Sequence, residues 1–335
     1  MAETLLYPYR KNLLEMPGPV SRLLFLNAEN TPVLKGMKSP ALVQHRYDKA
    51  RLLIDAGYAV VDSPPDEKFD TIWALPSKDK TETQYLLALA LRCATSNGMI
   101  VAAAPNDAGG KRLPQLFEEL GLTAQTESKN KARIVFASAG GYDRQQADLW
   151  FDQGKEQHIA ETGVLSCAGL HGWDKVDAGS ALLARHLPAG LHGHVADFGC
   201  GWGYLALQAL ALAHKVTHMT LADIDSRAIR IAACNVGKKY PAVDVKTLWT
   251  DLTTPDDRRG SYDAILLNPP FHDGTRTLPE RGQAIIAAAA RALKPQGALY
   301  LAANRHLPYE KTLQSLFAHV ELLADEDGFK ALACR

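Results

Sequence analysis

Two clusters in the second half of the chain have residue types and spacings suited to chemistry. The first is Asn268-Pro269-Pro270-Phe271, directly after the apolar run 263–267. Consecutive prolines stiffen a loop and remove two backbone donors, leaving carbonyls to accept. Such a loop suits a ligand that donates. An aromatic amine carries two N–H groups, and its lone pair is delocalised into the ring. Accepting both hydrogens, through the Asn268 side-chain oxygen and the Pro269 carbonyl, draws the nitrogen toward tetrahedral geometry. The freed lone pair can then attack an electrophilic methyl group without a strong base, with in-line positioning supplying much of the rate. Phe271 can stack on a flat acceptor, an interaction worth about 1–3 kcal/mol per base. The competing reading is a loop in which Pro-Pro ends a strand and Phe271 plugs the core.

The second cluster is Asp197-Phe198-Gly199-Cys200-Gly201-Trp202-Gly203, a strand entering a glycine-rich turn before the apolar helical stretch 204–213. Gly199 and Gly201 permit a tight turn and close approach of main chain to a ligand, and Gly203 lets the helix pack on the sheet. A further strand, 219–222, ends in Asp223, about 20 residues on, where an acid meets ribose hydroxyls in such folds. Asp251 follows Leu248-Trp249-Thr250 at a third strand end, placed to accept from an adenine amino group. A glycine turn alone also serves nicotinamide dinucleotides. The acid inside the strand end and the Asn-Pro-Pro-Phe motif downstream point to S-adenosyl-L-methionine. Taken singly, Asp223 and Asp251 are equally readable as helix caps.

The elements that must position these residues read as parallel βαβ units, with apolar strands alternating with amphipathic helices. A weak repeat runs through the chain: Phe69-Asp70-Thr71-Ile72-Trp73-Ala74-Leu75-Pro76 resembles Tyr262-Asp263-Ala264-Ile265-Leu266-Leu267-Asn268-Pro269. After each come a polar loop, an alanine-rich helix (82–94 and 282–293), a turn (Asn97-Gly98; Pro295-Gln296-Gly297) and an apolar strand (99–103; 298–302). The first copy lacks the chemistry. Its opening strand, 22–27, runs into Ala28-Glu29-Asn30-Thr31-Pro32 without a glycine, and Leu75-Pro76-Ser77 stands at the place of Asn268-Pro269-Pro270. Residues 138–161 read as a linker. The expected division is 1–155 and 156–335.

A length of 335 residues fits two domains of ordinary size. Lys+Arg and Asp+Glu both number 37, which argues against bulk electrostatic attraction to nucleic acid but not against a local basic face. Five scattered cysteines, without a C-x-x-C pair, give neither a disulfide framework nor a zinc site. Nor do the scattered histidines: no metal is expected. No signal peptide or apolar run of about 18 residues is visible. The chain reads as a soluble, cytoplasmic monomer.

Residues 195–205, the Asp223 strand end, Asn268-Pro269-Pro270-Phe271-His272-Asp273-Gly274, and Ala303-Asn304 with Leu307-Pro308-Tyr309 resemble the ribosomal RNA small subunit methyltransferase C family. Gly163-Val164-Leu165-Ser166 and Asp177-Ala178-Gly179-Ser180 resemble the segment leading into that family's fold, and the likeness covers about 163–333. The chain departs from the family at Cys167 and at the insertion-like His171-Gly172-Trp173. The resemblance implies two tandem class I (Rossmann-like) methyltransferase folds, α/β, the N-terminal one degenerate and without a cofactor site. It implies methylation of guanine N2 in small-subunit ribosomal RNA, with ribosomal RNA or the small subunit as partner.

Pro270, Phe271, His272 and Arg276 are expected to touch substrate, and Arg276 and Arg281 to reach phosphate. Cys200 reads as a small packing residue. Other conjugated amines remain open as acceptors: a glutamine amide in a protein, adenine N6, a large-subunit guanine or a small molecule. So does a non-catalytic RNA-binding protein on the same scaffold, although the intact motifs speak against it.

Overall fold

The computed structural model describes all residues except 161, 255–257, 271, 274, 275 and 278, and at 272, 273, 276 and 277 the backbone alone. The chain forms two compact units: Met1–Glu156 with Cys167–Gly169, and Gln157–Ser166 with Leu170–Arg335.

The first unit is built on strands β1 (Leu23–Leu26), β2 (Ala41–Val43), β3 (Phe69–Ala74), β4 (Ala94–Pro105), β5 (Gln125–Lys129) and β6 (Ala132–Ser138). They form one sheet in the order β2-β1-β3-β4-β6-β5. Its described helices are α1 (Ala2–Leu5), α2 (Tyr7–Arg10), α3 (Tyr47–Asp55), α4 (Lys80–Cys93), α5 (Leu113–Glu119) and α6 (Arg144–Gly154). Side chains alternate across a strand. Leu24, Leu26, Ile72 and Ile100 therefore enter one buried cluster, while Leu23, Phe25, Trp73 and Val101 enter another on the opposite face. Burial on both faces explains why these strands read as continuous apolar runs.

The second unit begins with the short hairpin β7 (Gln157–His158) and β8 (Leu165–Ser166). Its main sheet holds β9 (His192–Phe198), β10 (Lys215–Asp223), β11 (Asp244–Trp249), β12 (Tyr262–Leu267), β15 (Leu293–Asn304), β16 (Val320–Glu326) and β17 (Phe329–Cys334). The order is β11-β10-β9-β12-β15-β17-β16. All pairs are parallel except the two made by β17. Between β12 and β15, the strands β13 (His272–Asp273) and β14 (Arg276–Thr277) pair with each other. The described helices are α7 (Ala178–Arg185), α8 (Tyr204–Leu212), α9 (Ser226–Lys239), α10 (Pro279–Ala292) and α11 (Glu310–Leu316).

Two expectations need correction. Residues 138–161 are not a linker throughout, because α6 lies there. Asp143 caps α6 by accepting from Gln146 N at 3.0 Å. Ala147 and Trp150 enter the same buried cluster as Leu87 and Leu91 of α4. The guanidinium of Arg92 lies 3.7 Å over the Phe151 ring and its Nη2 is 2.6 Å from Asp148. One buried face was enough to make a helix out of a polar segment. The turns at Asn97-Gly98 and Pro295-Gln296-Gly297 do not separate helix from strand either. They are excursions inside β4 and β15. The register steps from Phe69↔Ala94 to Thr71↔Met99, and from Tyr262↔Leu293 to Ala264↔Ala298. In both sheets two residues of one strand face five of the next.

Candidate active site

The glycine turn leaves β9 where that strand is flanked on both sides, Phe198 pairing with Ala222 of β10 and with Leu267 of β12. Parallel α/β sheets place their sites at this carboxyl edge. Gly199 N and Cys200 N both donate to Ala222 O, at 2.8 and 3.1 Å, and Gly203 N donates to Cys200 O at 2.8 Å. Gly199, Gly201 and Gly203 have φ of +76°, +52° and +92°. A Cβ on Gly203 would stand 3.1 Å from Ala232 Cβ, so this glycine lets α8 seat against α9. Nothing lies within 4 Å of a Cβ on Gly201, and a Cβ on Gly199 would meet only Asn268 O at 3.9 Å. Both face open space, Gly199 beside Asn268.

Two carboxylates serve the turn. Asp197 is buried; its Oδ2 accepts from Ala206 N at 3.0 Å, and its Oδ1 has no partner among the described residues. Burial pushes its carboxyl up to about 7, with the nearby charge of Asp223 adding to the rise. Asp223 accepts from Gly201 N through Oδ2 and from Asp225 N through Oδ1, both at 3.0 Å. Burial raises it to about 6 against those hydrogen bonds. Capping of α9 falls to Asp225, which accepts from Arg227 N at 2.9 Å, so Asp223 is not the helix cap. Asp251 Oδ1 accepts from Thr253 N at 3.0 Å and from Thr253 Oγ1 at 2.7 Å, with Arg281 Nη2 at 3.7 Å. Arg281, expected at phosphate, is therefore engaged by Asp251. Cys200 is buried, which pushes its thiol well above the usual range and suits a packing role.

Asn268 follows β12 at the same edge. Its Nδ2 donates to Asp177 Oδ2 and to Ser180 Oγ, both at 2.7 Å. Its Oδ1 is buried and without a partner among the described residues. Asp177 caps α7, accepting from Ser180 N at 2.8 Å. Its other oxygen lies 3.1 Å from His171 Nε2. Burial pushes the Asp177 carboxyl up, but hydrogen bonds from His171, Ser180 N and Asn268 outweigh it and hold the group at about 2. Pro269 is buried and Pro270 exposed. Phe271 and the side chains of His272 and Arg276 lie outside the described residues; the backbones at 272 and 276 belong to β13 and β14.

Three contributors escaped the sequence reading. Asp177 and Ser180 entered it only as a family-like segment, although an acid three residues before a serine and an apolar run is a recognisable cap signal. Asn235 on α9 gave none. Its Nδ2 donates to Trp202 O and Leu165 O, and its Oδ1 accepts from Leu165 N, all at 2.9 Å, which ties the glycine turn to β8. The insertion-like segment 171–173 joins the site as well, because Trp202 Nε1 donates to Gly172 O at 2.9 Å. Among the described residues no group of His, Cys, Asp and Glu could hold a metal, and no helix is long and apolar enough to cross a membrane.

A parallel sheet whose last strand along the chain runs antiparallel, with a glycine turn after its first strand, an acid ending its second and Asn-Pro-Pro ending its fourth, defines a methyltransferase. Residues 161–333 match the model of the Methyltransferase small domain family, and the chain belongs to that family. It is 29% identical over 284 residues to ribosomal RNA small subunit methyltransferase C of Shewanella denitrificans, covering 83% of this chain and 80% of the relative. The Shewanella baltica protein of the same name is 28% identical over 292 residues, 86% and 82% of the two chains. Among solved structures, the T. thermophilus 16S rRNA N2 G1207 methyltransferase, in complex with AdoMet and guanosine, superposes with a TM-score of 0.74 at 22% identity. That match covers 96% of this chain and 89% of the other. It establishes the fold.

Proposed function

We propose that the protein transfers a methyl group from S-adenosyl-L-methionine to the N2 amino group of a guanine in small-subunit ribosomal RNA. The observation that carries this reading is Asn268: its amide nitrogen is fully engaged, and its oxygen is a buried acceptor without a donor among the described residues. Buried acceptors are nearly always satisfied, so an orphan at a strand's carboxyl edge fits a ligand that donates. The names of the relatives support small-subunit ribosomal RNA as the substrate, and that of the T. thermophilus protein supports guanine N2 as that donor.

The residues at the turn fit the cofactor. Open space at Gly199 and Gly201 admits a close approach to the main chain. Asp223 accepts ribose hydroxyls, and the orphan Asp197 Oδ1 adds a second acceptor. Asp251 has Oδ1 committed to Thr253, which leaves Oδ2 for the adenine amine. When bound, S-adenosylmethionine supplies an electrophilic methyl group. Asn268 Oδ1 and the Pro269 carbonyl accept the two amino hydrogens and steer the nitrogen lone pair toward that methyl. The amide cannot take the proton, which leaves for water after nitrogen–carbon bond formation. Pro270 and Phe271 flank the flat base, and His272 and Arg276 contact the RNA.

Residues 1–155 serve as a degenerate methyltransferase-like domain without a cofactor site, and 156–335 as the catalytic domain. The protein acts as a cytoplasmic monomer without metal. The test is single-turnover methylation of small-subunit ribosomal RNA, with the product nucleoside identified by mass. Asn268→Ala should leave cofactor affinity nearly intact and lower the rate about a hundredfold, because the lost contact strengthens in the transition state. A near-normal Asn268→Ala rate refutes the two-acceptor mechanism; a product other than N2-methylguanosine refutes the acceptor.

A further inference from the structure

We infer that Asp177 is a positioning residue, with Ser180 as its support, that fixes the side-chain amide of Asn268 with its oxygen turned to the substrate. The inference rests on the reading of Asn268 as acceptor for the amino group.

A side-chain amide has two orientations of nearly equal shape, related by half a turn about its last bond, with oxygen and nitrogen exchanged. Only hydrogen-bond partners choose between them. Here the Nδ2 side faces two oxygens at 2.7 Å, one from Asp177 and one from Ser180. The hydroxyl of Ser180 accepts or donates equally well, so it tolerates either orientation. An ionised carboxylate only accepts. Turning the amide over would bring Asn268 Oδ1 against Asp177 Oδ2, oxygen on oxygen, inside a partly buried site. Asp177 therefore makes the choice.

The carboxylate is itself held from several sides. Oδ2 accepts from Ser180 N at 2.8 Å at the start of α7, and Oδ1 meets His171 Nε2 at 3.1 Å. These contacts fix Asp177 on its own helix, independent of the loop it directs. The consequence falls on Asn268 Oδ1. With both amide hydrogens committed, the oxygen is the group left over, and it is buried without a partner among the described residues. Hydrogen bonding of the amide N–H groups to a carboxylate also polarises the amide toward its oxygen, which strengthens it as an acceptor. A residue 91 positions away in sequence thus sets the direction and strength of the contact that the reaction uses.

Asp177→Asn separates positioning from support of the fold, since asparagine caps a helix as well as aspartate but offers Asn268 either a donor or an acceptor. In single-turnover methylation with saturating cofactor and ribosomal RNA, the rate should fall about tenfold to a hundredfold. Calorimetric affinity for S-adenosylmethionine and the KM for RNA should hardly move, while the melting temperature falls by the few degrees that the carboxylate's lowered pKa contributes. Ser180→Ala should cost several-fold less. In an Asn268→Ala background, Asp177→Asn should cause no further loss, because its action passes through the missing amide. Side-chain amide resonances of 15N-labelled protein read the orientation without any turnover. The Asn268 pair should shift and broaden in Asp177→Asn. An unchanged resonance, or a rate loss that adds in full to that of Asn268→Ala, overturns the inference. If Asn268→Ala alone retains the wild-type rate, the failure lies in the parent reading and the catalytic purpose of Asp177 falls with it.

Discussion

Alanine at Gly201 and alanine at Gly203 should fail in different ways, and the structure gives the size of each effect. Gly203 stands at φ +92°, ψ 22°. A Cβ there would meet Ala232 Cβ at 3.1 Å and Ala232 Cα at 3.2 Å. L-residues rarely adopt so large a positive φ, and the obstruction is the Cβ and backbone of Ala232 on a helix. Strain and overpacking together cost about 2–4 kcal/mol. Gly201 stands at φ +52°, a smaller positive φ that L-residues adopt more readily, with nothing within 4 Å of its Cβ. Its alanine costs only the left-handed penalty of about 1–2 kcal/mol. At about 3 °C per kcal/mol for a domain of this size, thermal unfolding should show Gly203→Ala melting well below Gly201→Ala. Cofactor affinity should rank the other way. The Gly201 methyl enters the space assigned to S-adenosylmethionine, where overpacking of about 1–3 kcal/mol means about fivefold to 150-fold weaker binding. Calorimetric titration of each folded variant measures it. If Gly201→Ala binds the cofactor as the wild type does, the open space beside the turn is not the cofactor's, and the assignment of the glycines falls.

Three further outcomes follow from the carboxylates. Asp223 titrates at about 6 and is protonated below that value, so affinity for S-adenosylmethionine should fall as pH drops below about 6. Asp223→Asn should lower affinity about tenfold to a hundredfold and remove that component of the pH dependence; Asp197, at about 7, remains in both curves, so their difference is what counts. Asp177 is held at about 2 instead of 3.8, a contribution of about 2 kcal/mol that is complete above the unfolded value and lost as pH falls toward about 2. Asp177→Asn should flatten the acid side of the stability profile measured by urea unfolding, and an unchanged slope there would contradict the assignment of its ion pair. Calorimetry on the full chain should give one cofactor per chain, none in the first unit; a second site that survives Asp223→Asn would refute the degeneracy of residues 1–155.

What was legible in the sequence was local. Glycines at 199, 201 and 203, an acid ending β10 and Asn-Pro-Pro after β12 each carry their physical reason within a few residues, and the structure brings them to one sheet edge. What stayed hidden was long-range. Asn235 is one polar residue on an amphipathic helix, and nothing nearby tells that it binds main chain 33 and 70 positions away. Asp177 shows its cap but not the amide it directs. The helix α6 was lost because its buried side, Ala147 and Trp150, is sparse among charged neighbours. Asp251 was visible as an acid after a strand, while its pair with Arg281 depends on where α10 packs.

The two units also show how a binding turn closes. In the first, the residue after β1 is Asn27, which adopts φ +54°, much as Gly199 after β9 adopts φ +76°. Asparagine is one of the few side chains that tolerates this conformation, so the bend survives without glycine. Its side chain does not leave the space open. Asn27 Nδ2 donates to Leu75 O at 3.1 Å, and Leu75 follows β3 as Asn268 follows β12. At the corresponding place in the second unit, a Cβ on Gly199 would face Asn268 O at 3.9 Å. Two residues further on, where Gly201 leaves room, Glu29 accepts from Ala2 N at 3.1 Å and pairs with Lys49 at 3.3 Å. Both sheets carry the same excursion of five residues against two, a detail of register that neither burial nor function demands and that speaks for a common origin. On that account the first unit kept the backbone of the turn and fills its space from within: a side-chain amide bonded to Leu75 O, and a carboxylate committed to Ala2 N and Lys49.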